Sequence, residues 1–237
     1  VTSPGAPELS VVLPVRDQAD HIARVIESYH HDFARHGFSY ELVVVVNACR
    51  DTSLSICREL EARDRRVRVI ENPAGGWGRS VRAGLAEARG QYVCYTNSAR
   101  TRPATIPVLL EIARSRQLVV AKVRRTARGN RLRELGSALY NFECQLLLGV
   151  GGRDVNGTPK VFPRALLERL ELVSDGDLVD AEFLVQCRRA GAPVVSVPQA
   201  GWRRHGGRSS TNWRSAWLMY TGAVKLWWRQ IQGGARR

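Results

Sequence analysis

The 237-residue chain has no Cys-x-x-Cys pair, a single methionine, and no unbroken run of about 18 apolar residues such as a spanning helix needs. Without closely spaced cysteines, a zinc ribbon or a redox dithiol is excluded. The five that occur, Cys49, Cys57, Cys94, Cys144 and Cys187, suit a reducing compartment better than a disulfide framework. Val1 to Pro7 lacks the charged segment and apolar run of an export signal. The expected location is the cytoplasm, with the inner face of a membrane as the alternative. Acidic residues are also scarce, 22 against 36 basic ones, for a formal net charge of +14. Such an excess calls for a polyanionic partner: nucleotide phosphates, a lipid phosphate, an anionic membrane or nucleic acid. The last is the weakest candidate. No nucleic-acid motif is present, and four of the six tryptophans gather in one stretch near the C-terminus instead of alternating with basic strands.

What is present begins with short β-branched runs. Leu9 to Pro14 and Glu41 to Val46 stop at polar residues, as strands buried on both faces of a parallel sheet do. Between them, Ala19 to Phe33 places Ile22, Val25, Ile26 and Tyr29 at helical spacing. A second unit is predicted as helix Thr52 to Arg63, strand Arg66 to Glu71, a Gly-rich turn Gly75 to Gly78, helix Arg79 to Ala88 and strand Tyr92 to Tyr95. This alternation predicts an α/β fold with an open, mostly parallel sheet flanked by helices and a site at the strands' carboxyl ends. Further on, helices are expected at Pro107 to Ser115, through Tyr140 and at Asp180 to Ala190. Strands are expected near Leu118 to Val123 and Val194 to Val197, and a turn and strand at Asn156 to Phe162. Residues 1–237 read as one domain, ending in an amphipathic aromatic helix at about 211–232.

The strings LSVVLPVRDQ, VVVVNACRDTS, GGWGRSVRAGLAEARGQYV, DVNGTPKVFPR, VDAEFL and VPQAGWRRHGGRSS occur in that order. Together they resemble family 2 glycosyltransferases of the Rossmann-like GT-A fold, and most nearly their polyprenyl-phosphate, dolichyl-phosphate mannose synthase-like branch. The resemblance implies a nucleotide-diphosphate sugar donor and a phosphate or hydroxyl acceptor, such as a polyprenyl phosphate or a small saccharide or natural product. The alternative is an inactive GT-A module that binds a sugar nucleotide or a protein partner. The resemblance further implies that Pro14, Asp17 and Asn47 hold the nucleoside, although Asp17 and Asp51 could equally cap the helices that follow. Arg79, at the head of a helix where a basic group opposes the dipole, is expected to serve a phosphate.

The family's Asp-x-Asp, which binds a divalent cation under the donor pyrophosphate, is replaced here by Asn97-Ser98-Ala99, followed by Arg100 and Arg102. Asn97 offers one neutral oxygen and Ala99 none. The expectation is therefore no tightly bound cofactor and no metal at the usual motif, a divalent metal held by other ligands staying open, with Arg79, Arg100 and Arg124 meeting the leaving group's charge. By the same resemblance, Arg133, Lys160, His205, Arg208 and Ser209 serve the acceptor or its phosphate, and Asp180 or Glu182 acts as base or orienter. Two residues apart on a helix, these two acids cannot share a face, so only one can point into the crevice. Trp213, Trp217, Tyr220, Val224, Trp227, Trp228 and Ile231 recur at helical spacing among Arg214, Lys225 and Arg229. That helix is expected to meet a membrane surface, the body of the protein or a second subunit.

Overall fold

The computed structural model describes residues 5–126, 131–200 and 220–228, apart from the side chains of 131–133. Two wholly buried strands, β1 (Leu9–Val15) and β2 (Tyr40–Asn47), lie at the heart of the molecule. Being covered on both faces, they carry apolar residues in succession instead of alternating with polar ones. Around them follow α1 (Ile22–Phe33), α2 (Ser53–Arg63), β3 (Val67–Asn72), α3 (Trp77–Glu87), β4 (Tyr92–Tyr95) and α4 (Thr105–Arg114). The second half contributes β5 (Val120–Arg125), α5 (Arg131–Leu148), β6 (Lys160–Pro163), α6 (Arg164–Leu167), α7 (Val179–Arg189) and β7 (Val194–Gln199). Residues 220–228 form a further helical segment, α8.

The seven strands make one sheet in the order β3-β2-β1-β4-β6-β5-β7. β1 pairs in parallel with β2 and β4, β2 with β3, and β5 with β7, while β6 runs antiparallel between β4 and β5. The predicted α/β class and the mostly parallel sheet are both observed. The pleat splits the apolar residues between two cores. Leu9, Val11, Leu13, Leu42 and Val44 pack on Ile22 and Tyr29 of α1, Cys57 of α2 and Leu110 of α4. On the other face Val12, Val43 and Val45 meet Val81 and Leu85 of α3, Tyr140 and Cys144 of α5, and Phe183 of α7. Gly84 lets α3 lie close against the sheet, since a Cβ there would come within 2.2 Å of Val12 Cγ1.

Several boundaries differ from the sequence reading. The helix expected from Arg79 starts at Trp77. β5 runs on past Val123 to Arg125, so Arg124 and Arg125 belong to a strand. Of the turn and strand expected over 156–162, the strand occupies Lys160–Pro163, one residue beyond the expected end. Of the helix expected at 211–232, residues 211–219 and 229–232 lie outside the described residues, as do His205, Arg208 and Ser209 and the side chain of Arg133.

Candidate active site

Parallel pairing brings the carboxyl ends of β1, β2, β3 and β4 to one edge of the sheet. Because β6 runs the other way, its first residue arrives at the same edge, with Lys160 opposite Tyr95. The N-terminus of α7 joins them there, since the Asp180 carboxylate accepts from the Tyr95 hydroxyl at 3.0 Å.

The corner formed by β1 and β2 is stitched loop to loop. Asp17 has a left-handed backbone (φ 50°), and its Oδ1 accepts the Arg50 N–H at 2.7 Å. The Asp17 N–H reaches Cys49 Sγ at 3.3 Å, and the thiol in turn donates to the Val15 carbonyl. Asp51 accepts from Ala19 N–H through one oxygen and from the Ser53 N–H and hydroxyl through the other. Partial burial opposes its ionisation, but the bonds from Ser53 and Ala19 outweigh that and hold its pKa below the usual range. Asp51 thus caps the start of α2 while tying it to the β1 loop. Asn47, at the end of β2, is buried and accepts from Asn72 Nδ2 at 3.3 Å, and Asn72 also donates to the Ser80 hydroxyl.

The segment that replaces Asp-x-Asp is folded inward. Ser98 and Ala99 are each 1 % exposed. The Ser98 hydroxyl donates to the Pro14 carbonyl at 2.7 Å and accepts from the buried Gln18 amide Nε2 at 2.9 Å. Asn97 Oδ1 accepts the Ala99 N–H, and the Asn97 carbonyl accepts from the backbone of Arg100 and Thr101. Sequence reasoning missed Gln18 and Ser98, whose role depends on a contact across 80 residues. Arg124 is half-buried on β5 opposite Pro198. Its neighbour Arg125 makes a two-pronged pair with Asp154, with Nε and Nη2 donating at 2.9 and 2.6 Å.

The two acids of α7 take different jobs. Asp180 is 4 % exposed and collects Tyr95 Oη, Trp77 Nε1 at 3.2 Å and the ammonium of Lys160. Lys160 is fully buried, over the Tyr95 ring at 5.0 Å, so its charge is turned to Asp180 and not to solvent. Glu182 faces away from that cluster and accepts the Val173 and Ser174 N–H groups. The loop it anchors runs on to Asp175, whose carboxylate pairs with Arg79 at 2.6 Å and Arg82 at 2.9 Å and whose carbonyl accepts the Arg79 N–H. The N-terminus of α3 is therefore covered by this loop, and the dipole-opposing charge of Arg79 is met by Asp175. Gly78 permits the contact, because a Cβ there would lie 2.2 Å from the Ser174 carbonyl oxygen.

Residues 10–171 match the family model for glycosyl transferase family 2. The chain belongs to this family. It is 26 % identical over 165 residues to an undecaprenyl-phosphate 4-deoxy-4-formamido-L-arabinose transferase of Pseudomonas fluorescens, a match over 68 % of this chain and 48 % of that protein. The counterpart of Pseudomonas paraeruginosa is 27 % identical over 68 % of this chain and 49 % of its own. The chain thus spans about half the length of these relatives. Among solved structures, glucosyl-3-phosphoglycerate synthase of Mycobacterium tuberculosis superposes with a TM-score of 0.67 at 21 % identity, over 92 % of this chain and 77 % of its own. A likeness at that identity shows the GT-A fold.

One expectation is corrected by these relatives. No tightly bound cofactor, and no metal at the usual motif, were expected, yet the solved synthase holds UDP with Mn²⁺ in one structure and with Mg²⁺ in another. The expectation of no tightly bound cofactor is therefore withdrawn. The residues at 97–99 do not themselves fit a hard cation: they offer one amide oxygen, already engaged by the Ala99 N–H, and one hydroxyl, turned to Pro14 and Gln18. Among the described residues, Asp17, Cys49 and Asp51 bring ligand atoms within 4.8 Å of one another. Burial raises the Cys49 pKa, which keeps it a neutral thiol, and both carboxylates are drawn into the loop bonds above.

Behind the Asp180 cluster lies a second buried lysine. Lys122 is 1 % exposed, sits opposite Lys160 in the β5–β6 register and donates to the Asp154 carbonyl at 2.7 Å. Burial, and then the like charge of Lys160, lower its pKa to about 7. An unfolded lysine titrates near ~10.4, so above pH 7 the unfolded chain binds more protons at this position and stability rises with pH. Buried thiols such as Cys187, raised by burial to about 12, act in the opposite sense once unfolded thiols ionise, above about pH 8.5. The unfolding free energy from urea titrations should therefore increase from pH 7 to about 8.5. Lys122→Met should flatten that rise; an unchanged slope would remove Lys122 as its source.

Proposed function

We propose that this chain carries the catalytic machinery of a nucleotide-sugar-dependent glycosyltransferase whose acceptor is a lipid phosphate. The observation that carries the reading is the convergence, on one sheet edge of a family 2 fold, of the loops after β1, β2 and β4 with the head of α7. The lipid-phosphate acceptor is supported by the 26 % likeness to transferases that act with undecaprenyl phosphate and by the net charge of +14. Asp17 and Asn47 would hold the nucleoside at the β1–β2 corner, with the Pro14 backbone beneath it. Arg100 and Arg124 would face the donor phosphates, and Asn97 would shape the turn between them. Arg133, His205, Arg208 and Ser209 keep their proposed place on the acceptor side, and the buried Lys160–Asp180 pair would hold the floor.

The transfer forms a bond from an acceptor oxygen to the sugar's anomeric carbon. It breaks the bond from that carbon to the donor's phosphate oxygen, and the electron pair leaves with the nucleoside diphosphate. A phosphate acceptor is already ionised and needs no base. A hydroxyl acceptor would have to lose a proton, and the half-buried Asp177, two residues before α7, would be the group to take it. Burial first and the charge of Asp180 second raise its pKa, the direction that strengthens a carboxylate as a base.

The test is calorimetric binding of UDP-, GDP- and dTDP-sugars in the presence of Mn²⁺, followed by transfer to a short polyprenyl phosphate. One nucleotide should bind and turn over. Arg124→Ala should weaken its binding by about tenfold, the loss of one charge-assisted contact, while the melting temperature stays unchanged. Equal losses in binding and stability would remove Arg124 from the site. Binding without hydrolysis or transfer would favour the inactive sugar-nucleotide module.

A further inference from the structure

We propose that the outer face of α5 is a docking surface for an anionic lipid bilayer. Leu135, Leu139, Phe142 and Leu146 are 69, 58, 61 and 71 % exposed, whereas Tyr140, Cys144 and Leu148 of the same helix are buried. At about 100° per residue the four exposed side chains fall within an arc of roughly 60°, on the side opposite the buried three. A helix that covers a core ordinarily turns charged residues outward, so a contiguous apolar stripe there marks a surface that meets something apolar. α8 packs beside α5: Tyr220 donates to the Gly136 carbonyl at 2.7 Å and meets the Tyr140 ring edge-on at 5.8 Å. It too leaves large apolar side chains in solvent, Val224 at 40 % and Trp228 at 55 %.

Charge selects the occupant. Residues 124–133, which lead into α5, contain five arginines, and Lys225 is exposed on α8 with Arg229 just beyond. Arg125 is taken by Asp154, and against the other four arginines of 124–133 α5 carries two acidic residues, Glu134 and Glu143. A second copy would bring another net charge of +14 against the first, whereas an anionic bilayer attracts it. No helix among the described residues is long and apolar enough to cross a membrane, so the contact lies on the bilayer surface. The proposal rests on the lipid-phosphate reading above for its purpose: a face pressed on the bilayer would hold the sheet edge within reach of a membrane-resident acceptor.

The test is co-sedimentation of the 237-residue chain with vesicles of phosphatidylglycerol or of phosphatidylcholine. The chain should bind phosphatidylglycerol vesicles, and Leu139→Gln/Phe142→Gln should weaken that binding by about tenfold with no change in melting temperature, because both side chains are exposed. If that pair lowers the melting temperature, Leu135→Gln/Leu146→Gln provides the same test on the same stripe. Absence of binding by the parent chain, or undiminished binding by the variants, would overturn the proposal. So would a dimer in sedimentation equilibrium, without lipid, that the variants dissociate, since the face would then belong to a second copy. Donor binding measured without vesicles tests the enzymatic reading alone. Its failure beside intact vesicle binding would overturn that reading and leave the docking face standing.

Discussion

Asp180→Leu should destabilise the fold by about 3–5 kcal/mol, the range found when one partner of a buried ion pair is removed. Among the described residues the carboxylate is the only acidic group bonded to the Lys160 ammonium, which is fully buried, and it also accepts from Tyr95 and Trp77. Removing it strands a charge and leaves two further donors without their acceptor. Lys160→Met in the same chain should recover most of the loss, because a paired charge replaced on both sides by apolar groups is often neutral or better. Urea unfolding of the two single variants and the double one gives the coupling directly. Additive losses would mean that the two side chains do not act as a pair. The cluster bears on catalysis through its position. It joins β4, β6, α3 and α7 at the sheet edge where the nucleotide sugar is proposed to lie, so its rigidity sets how precisely that edge is held.

Much of this frame is legible without coordinates. The β-branched runs of β1 and β2 and the helical spacing of Ile22, Val25, Ile26 and Tyr29 define the first βαβ unit, because burial on both sheet faces and on one helix face imposes those patterns. The antiparallel β6 is less visible, since four residues following a tight turn carry almost no periodic signal. The site is legible by residue type and much less by role. Asp180, Glu182, Lys160 and Arg79 were singled out as charges near a crevice. Only the three-dimensional contacts divide them into a buried pair and a loop anchor, since Asp175 lies 96 residues from the arginine it neutralises. Gln18 and Ser98 escaped notice for the same reason. Their bonds connect the β1 loop to the 97–99 segment, and a polar residue in a loop does not announce a partner so distant in sequence.

Gly78→Ala should cost about 1–3 kcal/mol, because the new methyl would press on backbone and not on a side chain that can swing aside. The Ser174 and Gly176 carbonyl oxygens would lie 2.2 and 2.7 Å from it, so the 173–176 loop has to move off the head of α3. Glu182→Ala reaches the same loop from the other side. It leaves the Val173 and Ser174 N–H groups without their charged acceptor, at a cost of about 1.5–3 kcal/mol for a bond to an ionised group. Because both substitutions release one segment, the double variant should lose less than the sum of the two. Chemical denaturation of all three proteins checks this. Full additivity would show that the loop is held at two independent places. Transfer assays then separate the possible roles of Glu182. An anchor acting through the loop should lose stability and turnover together, and Glu182→Gln, which keeps an acceptor oxygen, should restore part of both. A group that took a proton from the acceptor would instead lose turnover alone, and glutamine would not bring it back.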